Sequence, residues 1–365
     1  KGDLRLNDGF RAEGAVSLLG VAVGKDVDCD GGQFLCPSGD ALCADGLRVD
    51  GCVFLRQGFR AEGVVRLRGA AIGGDFSCLG GRFVHPGQTA LMADGVKVEG
   101  AVFLRNGFHA EGRVSFMAAR IGRFLFLSGV DAPGGLTLDL RSAHVGSLCD
   151  EAASWPAPGQ LLLHGLVYED LDDRSPLDAP TRLAWLRRQP AQSFRPQPYE
   201  HLAAVLKKHG LDEDARQILI AKNDDRLRLT RMPAASRAMY HLLGGSISYG
   251  YRPWRAFRLA LLIVAVGTAL FSLGFRAGVL ASVEGKPRES FNALLYSLDT
   301  FLPIVDLHQK GAWWPAAAGT EHVLELGGLT LSWGALLRTY QWIHIGLGWI
   351  LTTLLVASLS GLIRR

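Results

Sequence analysis

The sequence has little of what soluble catalysis usually leaves behind. No G-x-G-x-x-G follows a strand and opens a helix, so no dinucleotide site is evident, and there is no P-loop, H-E-x-x-H or G-x-S-x-G. The six cysteines, Cys29, Cys36, Cys43, Cys52, Cys78 and Cys149, form no C-x-x-C pair, which removes the zinc-ribbon and thioredoxin motifs. His85, His164 and His201 have no partner at a fixed spacing and read as surface or core histidines. No cofactor and no metal are expected. Charge is nearly balanced at +4, and juxtamembrane arginines account for that excess, so nucleic acid is not an expected partner. What is abundant is glycine, 45 of 365 residues, roughly 12% against a usual 7%.

The glycines concentrate before residue 135 and mark a repeat. Gly9-Phe10-Arg11-Ala12-Glu13-Gly14, Gly58-Phe59-Arg60-Ala61-Glu62-Gly63 and Gly107-Phe108-His109-Ala110-Glu111-Gly112 recur with a period of 49, since 58 − 9 = 107 − 58 = 49. A fixed period is the mark of a stacked repeat architecture. Within it, alternating triplets such as Val27-Asp28-Cys29, Val53-Phe54-Leu55 and Phe76-Ser77-Cys78 read as short strands with one buried face, separated by Gly and Asp corners. No segment is long enough for a helix, so a parallel β-helix is expected over residues 1–168. Two strands per coil of about 24 residues fit the spacing; three are also compatible. Cys29 and Cys78, 49 apart, read as small buried hydrophobes. Glu13, Glu62 and Glu111 read as turn residues on a solvated edge. The chain begins at Lys1, inside a repeat, and is expected to be a fragment or a processed form.

Residues 169–250 read as a helical coupler. Helical periodicity covers Thr181 to Gln189, Tyr199 to His209 (stopped by Gly210), Asp212 toward Arg231, and Ala234 to Leu243.

Residues 251–365 carry two long apolar runs. Leu259 to Phe275 has no charge, and Thr339 to Ile363 has no Asp, Glu, Lys or Arg and one histidine, His344. A spanning helix needs roughly 20 mostly apolar residues, so transmembrane helices are expected at about 258–280 and 339–363. Lys222 to Arg258 holds eight basic and two acidic residues, whereas Arg276 to Arg338 holds five basic and six acidic. The positive-inside rule then places both termini in the cytoplasm. Arg252, Pro253, Trp254, Arg255 and Arg258 precede the first run, and Arg364 and Arg365 close the second. These arginines suit lipid headgroups, and Trp254 and Trp342 suit the interface.

Between the runs, Phe291 to Asp306 reads FNALLYSLDTFLPIVD. The segment 288–308 resembles the pore helix and filter of two-helix cation channels. Leu295-Tyr296-Ser297-Leu298 stands for the aromatic-rich helix, and Thr300 and Asp306 match the outer Thr and Asp by type and spacing. Tyr249-Gly250-Tyr251-Arg252-Pro253 is similar to the Y-G-x-R-P element of bacterial pentapeptide-repeat proteins with a channel-like tail. The 49-residue repeat resembles bacterial proteins loosely labelled membrane-associated oxidoreductases. Phe301-Leu302-Pro303-Ile304-Val305 replaces the glycine-rich filter, and without glycine the backbone does not readily present a ring of carbonyls. The resemblance therefore implies a pore module that is not potassium-selective, lined by Asp299 or Asp306, in a homo-oligomer with four copies by analogy. His344 follows the same logic of an intramembrane polar group that faces an axis, a partner or nearby water.

The expected molecule is thus a β + α membrane protein of the bacterial inner membrane, with a parallel β-helix (solenoid), a helical coupler and two transmembrane helices flanking a re-entrant pore-loop-like segment. Its partners are the lipid bilayer, copies of itself and an unidentified cytoplasmic ligand or protein. The alternatives are a nonconducting membrane-anchored scaffold or sensor and, third, a membrane-associated oxidoreductase.

Overall fold

The computed structural model describes residues 2–283, 290–316, 322–326 and 329–360. Two compact units divide the chain, residues 1–231 and 232–365.

The first unit opens with a parallel β-solenoid of about seven turns. Each full coil carries four short strand positions rather than two or three, as in Leu4–Arg5, Arg11–Glu13, Val16–Ser17 and Ala22–Val23, after which Val27–Asp28 returns to pair with Leu4–Arg5. Two-residue sides between tight corners explain why the triplets looked sparse. Along one column the step is 23 residues from Leu4 to Val27, 26 from Val27 to Val53, 23 from Val53 to Phe76 and 26 from Phe76 to Val102. A short and a long coil together make 49, so the sequence period is a two-coil unit.

The long coils differ by a loop. Pairing between strands Gln33–Cys43 and Arg60–Arg66 shifts between Leu35 and Asp40, and the same shift recurs in Arg82–Met92 between Val84 and Thr89. The loop of one coil folds over the next. Gly63 has φ +114°, and a Cβ there would collide with the Cys36 carbonyl; Gly112, at φ +124°, would meet the His85 carbonyl. This close approach fixes the final glycine in the second and third copies of the phrase, whereas Gly14 in the first is held by its φ of +130° alone.

The interior is a set of ladders. Phe10, Phe34, Phe59, Phe83 and Phe108 stack through successive coils with ring centroids 5.2–5.5 Å apart. A second inward column reads Leu6, Cys29, Leu55, Cys78, Leu104, Leu127 and Asp150. Cys29 and Cys78 are therefore leucine-equivalent core positions. Burial pushes the Cys29 thiol up to about 12 and raises that of Cys78 as well, so neither is a ready thiolate. Glu13, Glu62 and Glu111 lie on strands, not turns; Glu13 and Glu62 pair with Arg11 and Arg60 two residues earlier on the outer surface, and Glu111 meets the buried His109.

Three helices close the last coil: α1 (Ala179–Leu186), α2 (Gln197–Lys208) and α3 (Asp212–Leu229). Their apolar residues Trp185, Leu202, Leu206 and Ile218 join the solenoid core in one cluster. Gln197 accepts the Gly165 N–H and donates to the Leu166 carbonyl, which occupies backbone groups at the open edge. At the end of the second column Asp150 is met by Arg182 of α1.

The second unit contains α4 (Ala234–Ile247), α5 (Trp254–Arg276), α6 (Ala293–Phe301) and α7 (Trp333–Leu359). Helices α5 and α7 are long and apolar enough to cross a membrane, and only 22% of the apolar window of each is buried. A core helix of a soluble domain hides most of its surface, whereas here Leu261, Leu262, Trp342, Trp349 and Ile350 are exposed. Residues 361–365, including Arg364 and Arg365, lie outside the described residues, as do 288 and 289 of the expected pore-loop segment.

Candidate functional site

The polar groups of the second unit converge where α6 is wedged between α5 and α7. The buried residues of α7 are Gly334, Leu337, Gln341, His344, Gly348, Leu351 and Ser358. Steps of three and four make this a single seam on one face. Ala256, Val264, Gly267, Phe271 and Gly274 form the facing seam of α5. Two glycines admit α6: a Cβ on Gly267 would stand 2.5 Å from Ser297 Oγ, and one on Gly348 would collide with the Phe301 carbonyl. Small residues let helix backbones approach closely where lipid offers no hydrophobic drive.

Helix α6 starts from Asn292, whose side chain accepts from the Leu294 and Leu295 N–H groups. Its first turn packs beside the end of α5: Tyr296 meets Phe271, and Phe291 stacks on Phe275 and meets Trp313. Its last turn packs at the middle of both long helices, where Phe301 clusters with Val264 and Leu351. The chain then returns, and the Asn292 N–H donates to Gln309 Oε1 at 3.2 Å. A short antiparallel pairing of Leu280–Ser282 with Trp313–Pro315 closes the base of the insert.

His344 sits at the centre of this wedge and is fully buried. Its Nε2 lies 3.1 Å from the Ser297 carbonyl, and its Nδ1 lies 3.2 Å from the Tyr340 hydroxyl. A carbonyl only accepts, so Nε2 carries the proton and Nδ1 accepts from Tyr340. Ser297 Oγ donates to the Val264 carbonyl at 3.0 Å and stands 3.3 Å from His344 Nε2. The serine proton is thus engaged with α5 and the imidazole with two other groups, which suits a structural clasp and not a nucleophile–base pair. Gln341 donates to the Tyr296 hydroxyl at 3.0 Å. Within this chain the hydrogen-bond partners of His344 come from α6 and its own helix.

The other expected site residues separate into two groups. Asp299 is enclosed; its carboxylate accepts from the Leu307 N–H at 2.8 Å and the Lys310 N–H at 2.7 Å, with Lys310 Nζ at 3.6 Å. It anchors the returning chain. Thr300 is buried and donates to the Tyr296 and Ser297 carbonyls of its own helix. Leu302 and Pro303 are half-buried. Ile304, at 88% exposure, with Val305 and Asp306, forms the exposed tip, and Asp306 accepts from the His308 N–H at 2.9 Å. Within one chain these eight residues thus run from the buried Asp299–Phe301 to the exposed Ile304–Asp306.

This division gives a direct expectation. Asp299→Asn removes the charge from two short backbone hydrogen bonds and is expected to lower the unfolding free energy of the detergent-solubilised protein by about 1–2 kcal/mol. Asp306→Asn is expected to stay within about 0.5 kcal/mol. Thermal unfolding of the two variants side by side measures both; equal effects would contradict the anchoring role.

At the other end of α5, Ser248, Tyr249 and Gly250 all take positive φ (47°, 56° and 84°), which turns the chain sharply between α4 and α5. Arg255 donates to Ser248 Oγ at 2.7 Å, Ser358 of α7 donates to the Gly250 carbonyl at 3.0 Å, and the Arg258 guanidinium lies 3.9 Å over the Trp254 ring. The Arg252 N–H donates to the Ile247 carbonyl, and Pro253 caps α5. The sequence reading singled out this segment and missed the clasp residues Ser297, Tyr340, Gln341, Gly267 and Gly348. For Gln341 and Gly348 the signal was the three–four spacing of small and polar residues within α7. Among the described residues no group of three or more His, Cys, Asp or Glu is placed to hold a metal ion. Compared with protein-family models, curated proteins and solved structures, the chain matches none.

Proposed function

We propose that this chain is a bacterial inner-membrane protein with both termini in the cytoplasm, in which the β-solenoid is a docking and sensing platform and α5–α7 form a channel-like module without potassium selectivity. The observation that carries the reading is the path of α6: it enters beside one end of α5, stops at the middle of both long helices, and the chain returns to Gln309 beside Asn292. A half-length helix followed by a return is the layout of a re-entrant segment, and irregular backbone at membrane depth is tolerated only where protein or a water-filled cavity covers it. The exposed tip Ile304–Asp306 is then what a homo-oligomer, four copies by analogy, would bring around an axis. Arg252, Arg255 and Arg258 face anionic headgroups at the cytoplasmic surface, and a ligand or protein on the solenoid biases the module.

A second reading, a nonconducting membrane-anchored scaffold or sensor, is favoured by a specific observation. Asp299, Ser297 and His344 are satisfied within one chain, and the outward faces of α5 and α7 present Leu261, Leu262, Ile343, Trp349 and Ile350. Such faces suit lipid and give a pore no polar wall.

Single-channel recording of the purified protein in planar bilayers separates the two. Discrete conductance that is abolished by Pro303→Trp and altered in cation preference by Asp306→Asn is the expected result for a pore. Silence across voltage, with the solenoid's ligand present, would leave the scaffold.

A further inference from the structure

One column of the solenoid carries basic side chains in strict register. Lys97 pairs with Arg120 and Arg120 with His144, so the three stand on successive coils, all exposed. Adjacent strands lie about 4.8 Å apart, and like charges directly opposite each other destabilise a sheet. Elsewhere the outer surface often neutralises its arginines: Arg56 meets Asp30, Arg66 and Arg68 meet Asp45, and Arg141 meets Asp139. Lys97, Arg120 and His144 have no ion pair or side-chain hydrogen bond among the described residues. Beside them runs a groove of about 520 Å³ with Gly122 and Gly146 in its wall and Glu99 and Glu169 on its lining. Both glutamates are exposed.

From this arrangement we infer that the groove binds a phosphate ester carrying neighbouring hydroxyl groups, the sugar-phosphate or nucleoside-monophosphate class. The phosphate offers acceptors to the Lys97–Arg120–His144 column, in which Arg120 is central and has a fork suited to two of its oxygens. The ligand's hydroxyls donate to Glu99 and Glu169, which only accept when ionised. The two glutamates bring the local charge close to neutral and so disfavour a bare polyanion, whereas a ligand with both functions satisfies each side. The volume lies in the range of small-molecule sites. This names a ligand class for the sensing role proposed above, but the site stands on the solenoid alone, and its test reads binding without any membrane activity.

The test is isothermal titration calorimetry of the full chain in detergent with ribose 5-phosphate, AMP and inorganic phosphate. Saturable binding of the two organic phosphates, each tighter than inorganic phosphate, is expected. Arg120→Glu should weaken it by about tenfold or more. Arg82→Glu, the same charge change at an exposed position on another column, should leave it within about twofold. Glu99→Gln should reduce the preference for the organic ligands over inorganic phosphate. Flotation with phosphatidylinositol vesicles, repeated with Arg120→Glu, distinguishes a lipid headgroup from a soluble ester as the source. The absence of binding by all of these probes, or equal losses in Arg120→Glu and Arg82→Glu, would overturn the assignment.

Discussion

Asp150→Ala is expected to destabilise the first unit by about 3–5 kcal/mol, the usual consequence of removing one partner from a buried ion pair. Asp150 and Arg182 have side-chain exposures of 1% and 0%. Two hydrogen bonds join them, at 2.9 and 2.8 Å, and the Trp155 indole N–H donates to the same carboxylate at 2.7 Å. Arg182 Nε donates to the Pro176 carbonyl, and its guanidinium lies 5.9 and 5.4 Å from the rings of Trp155 and Trp185. Without the carboxylate, a guanidinium stays buried with only a carbonyl to answer it. The melting temperature of a unit of this size should then fall by roughly 6–20 °C, as read by thermal unfolding of the detergent-solubilised chain. The control is the double variant Asp150→Leu with Arg182→Met. It places apolar groups where the charges were, continues the Leu–Cys–Leu column by one more coil, and is expected to recover most of the loss. A single variant as stable as the parent, or a double variant no better than the single, would contradict the cap-locking role.

The position of Asp150 also illustrates what was legible. A 49-residue period and alternating triplets were enough to infer a parallel solenoid with coils near 24 residues, because burial in stacked coils imposes both. The halving of the period was less visible. Phe34 and Phe83 stand inside as Phe10, Phe59 and Phe108 do, but they follow Gly31-Gly32-Gln33 and Gly80-Gly81-Arg82 and lack the Ala-Glu-Gly ending. At Gly63 and Gly112 that ending lies under a neighbouring coil's loop, a tertiary requirement that no local spacing reports. Strands of two residues likewise leave too little alternation to count four sides per coil. Asp150 stands where six coils have an apolar residue, and Arg182, 32 positions away, together with the Trp155 indole accounts for it.

In the second unit, the long apolar runs were legible from length alone, and α6 with its stop before Pro303 from pattern and proline. The roles of its polar residues were not. An intramembrane acid was expected to face a central axis or a partner because a lipid-facing charge is costly; within this chain residues 307–310 fold back over Asp299, and that path depends on a loop with no repeat or motif. His344 was placed by its distance from the run's end, whereas its surroundings depend on which helical face meets α6. The three–four periodicity of Gly334, Gln341, His344, Gly348 and Ser358 held that information, since polar and small residues on one face of a spanning helix mark the side turned from lipid.

Two glycines one turn-fraction apart on α7 turn this argument into an experiment. Gly348 lies in the seam, where even a methyl group would collide with the Phe301 carbonyl. The obstruction is backbone, which cannot swing aside as a side chain would, so Gly348→Ala must lift the end of α6 and open the contacts of Phe301 with Val264 and Leu351. Overpacking of this kind costs about 3 kcal/mol. Gly346 lies on the outer face with nothing within 4 Å of an added Cβ. There, alanine removes backbone freedom from the unfolded chain and is expected to be neutral or to stabilise by up to about 1 kcal/mol. The two variants have the same composition, so lipid or detergent affinity does not separate them; only the seat of α6 does. Thermal unfolding in detergent should place Gly348→Ala well below the parent and Gly346→Ala at or above it. If α6 is displaced as described, thiol labelling at Phe301→Cys should also be faster in the Gly348→Ala background than in the Gly346→Ala background. Equal stability and equal labelling in both backgrounds would mean that α6 does not rest on Gly348, and the re-entrant reading of the segment would lose its structural support.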